Sequence, residues 1–247
     1  MKVDDLAILI TGGARGIGGA TARLLAEGGA CVMITDILDD EGAALAESLG
    51  PNVHYRRLDV TEPAAWEDAV AAAEAVFGKL NALFNNAGIV SFAGVEDCPV
   101  EEFRRVQDIN VLGVYLGIRA CAPALRRAGG GAVVNNSSTA GMQGYAGIAA
   151  YVASKWAVRG LSKAAALDLA RDGIRVVSVH PGPIRTPMTD ALPRELAETQ
   201  PLPRFGEPEE VAALVRFLLC EATYSTGSEF VVDGGAIVGR LEAVTAD

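Results

Sequence analysis

A doubly wound α/β fold, with seven parallel strands and helices on both faces of the sheet, is the fold class that the sequence predicts. Short apolar runs alternate with longer helical segments along the chain. Strands that are apolar on both faces are typical of a parallel sheet buried between helices. Right-handed crossovers then complete the doubly wound arrangement. No linker or change in composition interrupts the sequence, so a single domain is expected over residues 1–247.

The individual elements follow from apolar runs, helical spacing and turn residues. Strands are expected at residues 6–11, 30–35, 53–58, 82–85, 131–137, 175–180 and 229–232. Helices are expected at residues 17–27, 39–49, 100–125, 151–171 and 209–219, and a further helix after Pro63 carries apolar residues at helical spacing from Trp66 to Phe77.

Proline is concentrated near the carboxyl end of the chain. Seven of the 11 prolines lie between Pro181 and Pro208, so this segment cannot form one continuous helix. Ligands of doubly wound sheets bind at the carboxyl ends of the strands, and this segment follows a strand. We expect a substrate lid at about residues 186–203.

Composition limits the partners and the location. The net charge of −10 argues against nucleic acid as a partner, and no apolar run is long enough to span a bilayer, so no membrane association is expected. The four cysteines (Cys31, Cys98, Cys121 and Cys220) are far apart in sequence, and the chain has only two histidines. We therefore expect reduced thiols, no metal site and a cytoplasmic location.

A glycine-rich turn joins the first strand to the first helix. It contains Gly12, Gly16 and Gly18, with Arg15 and Ile17 between them. Glycines let backbone N–H groups approach a pyrophosphate, and the start of the helix adds favourable partial charge. Because an acidic residue, Asp36, also ends the second strand, this context predicts a dinucleotide site. The alternative is a tight turn with a capping aspartate.

The nature of the dinucleotide depends on Asp36 and its neighbours. A carboxylate at this position accepts the ribose hydroxyls of NAD and repels the 2′-phosphate of NADP. The next residue is Ile37, so no basic side chain follows to bind that phosphate. Arg15 is the one residue that could favour NADP, although a solvated surface arginine is an equal alternative. NAD is therefore predicted over NADP.

A tyrosine and a lysine four residues apart begin the helix at residues 151–171. Tyr151 and Lys155 lie on one helix face, where an ammonium group would lower the pKa of the phenol. A phenol of lowered pKa is suited to acid–base chemistry near neutral pH. Ser138 follows the strand at residues 131–137, so all three side chains are expected at the same sheet edge. Alone, such a pair is usually a surface contact, and Ser138 a helix cap.

In combination these motifs resemble the short-chain dehydrogenase/reductase family across nearly the whole chain, which implies a Rossmann-type fold. The resemblance rests on Thr11-Gly-x-x-x-Gly16-x-Gly18, on Asn85-Asn86-Ala87-Gly88, and on the Tyr151-x-x-x-Lys155 pair. It also rests on Asn110, Ser138, Pro181-Gly182 and Thr186.

The resemblance implies a role for each matching residue. Tyr151 would exchange a proton with the substrate oxygen, Lys155 would lower its pKa and hold the nicotinamide ribose, and Ser138 would orient the substrate. Asn110 would kink its helix and hold a water that connects Lys155 to solvent. The remaining positions implied to contact the cofactor are Gly12, Arg15, Gly16, Ile17, Gly18, Asp36, Ile37, Asp59, Val60, Asn86, Ala87, Gly88, Pro181, Gly182, Ile184 and Thr186.

Hydride exchange between a nicotinamide and a secondary alcohol or ketone is the reaction that the resemblance implies. The expected substrate pocket is mostly apolar and has no arginine beside Ser138, which favours an apolar substrate. Residues 156–163 and 180–188 are similar to bacterial hydroxysteroid dehydrogenases. Other cyclic alcohols, a 3-oxoacyl-thioester and a non-catalytic role as an NAD(H)-binding regulator stay as alternatives. The expected pocket residues are Thr139, Gln143, Tyr145, Ile148, Met188 and Leu192.

Two further features concern assembly and a departure from the family pattern. The family implies a homotetramer formed through the helices at residues 100–125 and 151–171. The small residues 164–166 suit either that interface or packing on the sheet, and residues 236–247 either reach a neighbouring subunit or fray. Asn136 replaces an apolar residue common in the family, and a buried amide there needs a hydrogen-bond partner.

Overall fold

A seven-stranded parallel sheet is the centre of the molecule in the computed structural model, which describes residues 1–239. The strands are β1 (Ala7–Thr11), β2 (Cys31–Asp36), β3 (Val53–Arg57), β4 (Ala82–Asn85), β5 (Gly131–Asn136), β6 (Ile174–Pro181) and β7 (Glu229–Val232). Their order is β3-β2-β1-β4-β5-β6-β7, and every neighbouring pair is parallel. The strand order reverses between β1 and β4, and doubly wound sheets bind ligands at such a switch point.

Helices cover both faces of this sheet. They are α1 (Gly16–Glu27), α2 (Asp39–Leu49), α3 (Pro63–Phe77), α4 (Val100–Gln107), α5 (Gly113–Arg127), α6 (Ala149–Leu169) and α7 (Pro208–Cys220). Short 3₁₀ turns lie at Val3–Asp5, Thr139–Gly141, Ala170–Asp172 and Arg194–Ala197. The doubly wound fold predicted from the sequence is confirmed. No helix within residues 1–239 is both long and apolar enough to cross a membrane.

Two apolar layers hold the helices on the sheet. Alternate residues of β1 serve opposite faces, since Ile8 and Ile10 pack in one layer and Leu9 in the other. The first layer also contains Leu25 of α1 and Val215 of α7. The second is formed with α3, α5 and α6 and includes Trp66, Leu125 and Val158, all fully or almost fully buried.

The helix expected at residues 100–125 is not a uniform α-helix. Five residues, Asp108–Leu112, form a π-helical turn between α4 and α5, with Asn110 fully buried in it. Such turns occur mostly at functional sites. Sequence periodicity over this stretch predicts a helix. It does not predict that the backbone hydrogen bonds of the turn span five residues, as in a π-helix, instead of the four of an α-helix.

The structure shows where the small residues 164–166 of α6 pack, but it describes only part of the carboxyl-terminal segment. Ala165 and Ala166 are buried in the second apolar layer, so they pack on the sheet, while Ala164 is exposed. The segment at residues 236–247 is described only to residue 239, and residues 240–247 lie outside the described residues.

Candidate active site

A cavity of about 570 Å³ follows the carboxyl edge of the sheet, from Asp36 at the end of β2 to Tyr151 on α6. It contains three of the four predicted catalytic residues and nearly all of the predicted cofactor residues. Of the predicted catalytic and cofactor residues, only Gly18 and Asn110 lie outside its lining. The predicted residues that line it are Gly12, Arg15, Gly16, Ile17, Asp36, Ile37, Asp59, Val60, Asn86, Ala87, Gly88, Ser138, Tyr151, Lys155, Pro181, Gly182, Ile184, Thr186 and Met188.

The glycine-rich turn forms the middle of the cavity floor. Gly12 has a φ of 59°, and a Cβ there would lie 2.9 Å from the Cα of Ala87. Gly18 faces inward, because a Cβ there would overlap the carbonyl oxygen of Gly12. In the described structure Arg15 provides no side-chain cap for α1. The first N–H groups of α1 therefore form a cradle that fits a pyrophosphate.

Asn86 connects this turn to the end of β4. Its Nδ2 donates to the carbonyl oxygens of Thr11 and Gly12, both at 3.0 Å. Its backbone N–H and that of Ala87 donate to the hydroxyl of Thr11, at 2.9 and 3.0 Å. The remaining oxygen, Oδ1 of Asn86, accepts from Nδ2 of Asn136 at 3.0 Å. Asn136 thus has the partner that its burial requires, although its own Oδ1 has none among the described residues.

Asp36 lies at the adenosine end of the predicted site. Its Oδ2 accepts from the backbone N–H of Ala14 at 3.1 Å, and its Oδ1 accepts from those of Ile37 and Leu38 at 2.8 and 3.2 Å. A carboxylate has about four acceptor positions, so about one remains for a ribose hydroxyl. Nearby, Nη1 of Arg15 lies 3.7 Å from Glu41, with both side chains half exposed.

Tyr151, Lys155 and Ser138 converge at the other end of the cavity. Tyr151 and Lys155 lie one turn apart on α6, with Nζ of Lys155 5.4 Å from the centroid of the phenol ring. Burial raises the pKa of Tyr151, and a hydrogen bond from the Ser138 side chain opposes that rise. The sequence predicts a lowered pKa for this phenol, whereas the protein groups around it hold the pKa above its usual value.

Lys155 is almost fully buried, and its ammonium has a fixed orientation. Its Nζ donates to the carbonyl oxygen of Asn136 at 2.8 Å. Burial lowers the pKa of Lys155 to about 8, so the side chain is mostly charged at neutral pH. The backbone of Lys155 is also held, since its carbonyl oxygen accepts from the hydroxyl of Ser137 at 2.9 Å.

Asn110 acts on this site from outside the cavity. Its Oδ1 accepts from the backbone N–H of Ile89 at 2.8 Å, and its Nδ2 donates to the carbonyl oxygen of Ile89 at 2.9 Å. The same Nδ2 donates to the hydroxyl of Ser154 at 3.0 Å. Asn110 therefore ties the segment after Gly88 to α6, beside Lys155.

The predicted substrate residues are only partly brought to the cavity. Met188 lines it, but Ile148, Leu192 and three polar residues do not. Those three form a chain: Nε2 of Gln143 donates to the hydroxyl of Tyr145 at 2.8 Å, and that hydroxyl contacts the hydroxyl of Thr139 at 3.1 Å. These polar side chains, in the segment after β5, use their hydrogen-bonding groups on one another. The sequence, which predicts a mostly apolar pocket, does not reveal this arrangement.

Sequence reasoning also missed several residues of the lining. Ile89 and Val90 follow the Asn-Asn-Ala-Gly motif directly, so their position was a usable signal. Arg105 and Ile109, one helical turn apart, reach the cavity from α4 and the π-helical turn. Their exposure to the site depends on how that helix crosses the sheet edge, which no local pattern encodes. The others are Leu38, Leu58, Asn136, Ser137, Pro187 and Thr189.

Comparison with known proteins decides the family. A family model described as enoyl-(acyl carrier protein) reductase matches residues 12–236. The chain belongs to the short-chain dehydrogenase/reductase family. The match covers the glycine-rich turn, the Tyr151–Lys155 pair and residues 186–203 of this dehydrogenase/reductase.

Three relatives within the family are similar to this chain over most of its length. A 3-alpha-(or 20-beta)-hydroxysteroid dehydrogenase of Mycobacterium tuberculosis is 47% identical over 232 residues, which is 94% of this chain and 89% of the relative. A cyclopentanol dehydrogenase of Comamonas testosteroni is 45% identical over 244 residues, 95% of this chain and 98% of the relative. A trans-4-hydroxycyclohexanecarboxylate dehydrogenase of Sinomonas cyclohexanicum is 43% identical over 249 residues, 97% of this chain and 95% of the relative.

Proposed function

We propose that this short-chain dehydrogenase/reductase is an NAD-dependent oxidoreductase that interconverts a secondary alcohol and a ketone. One observation carries the proposal: a single cavity joins the carboxylate of Asp36 to the converging side chains of Ser138, Tyr151 and Lys155. Its length and its uncapped helix N-terminus fit a dinucleotide with its pyrophosphate at the glycine-rich turn. Bound NAD would supply the hydride acceptor, and the protein would supply orientation and proton transfer.

Each catalytic side chain has a distinct part in this proposal. Tyr151 accepts the proton of the substrate hydroxyl during oxidation and returns it during reduction. The hydroxyl of Ser138, which lines the same cavity as Tyr151, orients the substrate oxygen. The charged Lys155 offsets the rise that burial causes in the pKa of Tyr151, and it binds the nicotinamide ribose. Asn110 holds the segment after Gly88 in place and a water beside Lys155.

The cofactor-binding roles divide along the cavity. Asp36 and Ile37 would contact the adenosine ribose, and Asp59 and Val60 would flank the adenine. Asn86, Ala87 and Gly88 would line the path across the sheet, and Pro181, Gly182, Ile184 and Thr186 the nicotinamide. We propose NAD rather than NADP because the charge of Asp36 repels a 2′-phosphate and because Arg15 already lies beside Glu41.

The proposed substrate is a bulky, apolar secondary alcohol or ketone, either hydroxysteroid-like or a smaller cyclic alcohol. The names of the relatives support this class, as does Met188 in the lining. The lid proposed at residues 186–203 would cover such a substrate, since its first residues line the cavity. A 3-oxoacyl-thioester is the second candidate; the description of the matching family model names an acyl carrier protein, although with an enoyl substrate.

We also propose a cytoplasmic homotetramer assembled through α5 and α6. Tyr115 on α5 and Trp156 on α6 are 46% and 45% exposed, so each helix presents an aromatic side chain of the kind enriched at subunit interfaces. The four free cysteines are consistent with a reducing location. Light scattering coupled to size exclusion measures the assembly directly, and a monomer would contradict this part of the proposal.

Tyr151→Phe tests the central proposal. Turnover of cyclic alcohols and hydroxysteroids with NAD, followed by the absorbance of reduced nicotinamide, should fall by about a hundred- to ten-thousandfold, because a general acid–base group contributes roughly 10²–10⁴-fold. Binding of NADH should stay close to that of the wild type. Retention of most of the turnover would refute the role of Tyr151. Tight NADH binding without turnover of any alcohol, ketone or 3-oxoacyl-thioester would instead favour a regulator.

A further inference from the structure

His180 is a completely buried histidine that the proposed chemistry does not use. It lies near the end of β6, immediately before Pro181 and Gly182 of the cavity lining. Its Nδ1 is 3.1 Å from the carbonyl oxygen of Ser138, and its Nε2 is 2.9 Å from the hydroxyl oxygen of Ser178. A buried imidazole with a partner on each nitrogen is held in one orientation.

The partners determine which nitrogen carries the proton. A carbonyl oxygen can only accept, so Nδ1 must donate to Ser138. Burial lowers the pKa of His180, which favours the neutral ring, and Nε2 then carries a lone pair that accepts from the hydroxyl of Ser178. The carbonyl oxygen of Ser138 thereby selects the Nδ1–H tautomer of the imidazole, and the hydroxyl of Ser178 satisfies the other ring nitrogen.

The end of β6 contacts Ser138 at a second point. The hydroxyl of Ser138 lies 3.5 Å from the carbonyl oxygen of Pro181, and it accepts from the backbone N–H of Ala140 at 3.1 Å. Ser138 and Tyr151 line the same cavity. The direction of the Ser138 side chain therefore depends on how its backbone is held. Its carbonyl oxygen accepts from the backbone N–H of Gly141 at 2.9 Å and from the ring of His180, which is its side-chain partner.

We propose that His180 is a positioning residue for Ser138: its ring, held on the other nitrogen by the hydroxyl of Ser178, donates from Nδ1 to the Ser138 carbonyl and so keeps the Ser138 hydroxyl in the cavity that Tyr151 also lines. The inference rests on the proposed function, because it assigns His180 a role through a catalytic Ser138. It also makes β6 the support for both Ser138 and the start of the lid. A residue that acts in this way changes kcat and leaves cofactor binding intact.

Two nearly isosteric substitutions separate this role from simple packing. His180→Asn keeps an N–H close to the position of Nδ1, whereas His180→Leu has a similar shape and no donor. We expect kcat of the leucine variant to fall about tenfold, the effect of one lost hydrogen bond of about 1.4 kcal/mol, with the Kd for NADH unchanged. The asparagine variant should recover most of kcat. Equal kcat values in the two variants would overturn the proposal.

A measurement on the unmodified protein covers the case in which neither variant folds. The chain has two histidines, His54 and His180, so nitrogen NMR of the protein with isotope-labelled histidine gives two ring systems, assigned with His54→Gln. His180 should show a protonated Nδ1 and an unprotonated Nε2. Ser178→Ala removes the partner of Nε2, so it should keep the protonated Nδ1 but loosen the ring and lower kcat a few-fold. A protonated Nε2 with a bare Nδ1 in the unmodified protein would overturn the proposal.

Ser138→Ala, measured alongside, separates the two levels of inference. If it abolishes turnover while His180→Leu and His180→Asn behave alike, the role of His180 fails and the proposed function stands. If Ser138→Ala leaves turnover unchanged, the proposed role of Ser138 fails, and with it the reason for positioning that residue.

Discussion

Replacing Lys155 by methionine should raise the apparent pKa that controls alcohol oxidation. Methionine keeps the length and the apolar stem of the lysine but removes the charge beside Tyr151. Oxidation needs the phenolate form of Tyr151 as the base, so the rate falls as the pH drops below the pKa of this group. Without the ammonium, burial is the strongest influence on the phenol, and burial raises its pKa.

The distance between the two groups gives the size of the effect. Nζ of Lys155 lies 5.4 Å from the centre of the Tyr151 ring. At an effective dielectric constant of about 20, a unit charge at that distance stabilises a phenolate by about 3 kcal/mol, which lowers the pKa of the phenol by about two units. With saturating NAD, the rate at neutral pH should therefore fall about a hundredfold. It should recover when the pH is raised by about two units.

The assay is the pH dependence of kcat, followed by the absorbance of reduced nicotinamide. Lys155→Arg is the control, because it keeps a positive charge near the phenol and should leave the pH limb closer to that of the wild type. Burial lowers the pKa of Lys155 to about 8, so below that pH the native side chain carries the charge on which the argument depends. A uniform loss of rate at every pH, with the apparent pKa of the kcat profile unchanged, would refute the electrostatic reasoning.

Three further perturbations test the cofactor end and the stability of the fold. Asp36→Ala should reduce the ratio of kcat/KM for NAD over NADP by about tenfold or more, since repulsion between close like charges is worth about 1–4 kcal/mol; an unchanged ratio counts against our interpretation. Gly12→Ala places a Cβ 2.9 Å from the Cα of Ala87 at a φ of 59°, so the Kd for NADH should rise, as measured by fluorescence titration. Glu229→Gln should lower the free energy of unfolding by about 1–3 kcal/mol at neutral pH, because Arg159 holds the pKa of Glu229 at about 2. This stabilisation is present above the ordinary pKa near 4.5 and is lost as the pH falls towards 2, so denaturant unfolding of both proteins should converge there.

The sheet and its cofactor edge could be predicted from sequence because each strand is marked locally. Four apolar residues and a threonine, Ala7–Thr11, followed by glycines, determine both β1 and the start of α1 without reference to the rest of the chain. The same holds for Asp36, which ends β2 and lies at the predicted edge. Residues that lie at a strand end or in a motif are placed by topology alone.

The substrate side was less predictable because its geometry depends on contacts between distant segments. Gln143, Tyr145 and Thr139 satisfy one another away from the cavity lining, a pairing that no periodicity reveals. The π-helical turn around Asn110 is equally non-local, since it brings the amide to Ile89 and to Ser154 on α6. Burial of Tyr151 is a further tertiary property, and it reverses the direction of the pKa expected from Lys155 alone.

The catalytic end of the cavity is held mainly by bonds from side chains to backbone atoms. Nζ of Lys155 donates to the carbonyl oxygen of Asn136. The hydroxyl of Ser137 donates to the carbonyl oxygen of Lys155. Nδ1 of His180 donates to the carbonyl oxygen of Ser138. Backbone acceptors stay in place when neighbouring side chains change. The arrangement of Ser138, Tyr151 and Lys155 is therefore largely independent of the residues that contact the substrate. A family built in this way can change its substrate by altering the segments after β5 and β6, and proteins whose names cite steroids, cyclohexane derivatives and cyclopentanol are similar to this chain over more than nine-tenths of its length.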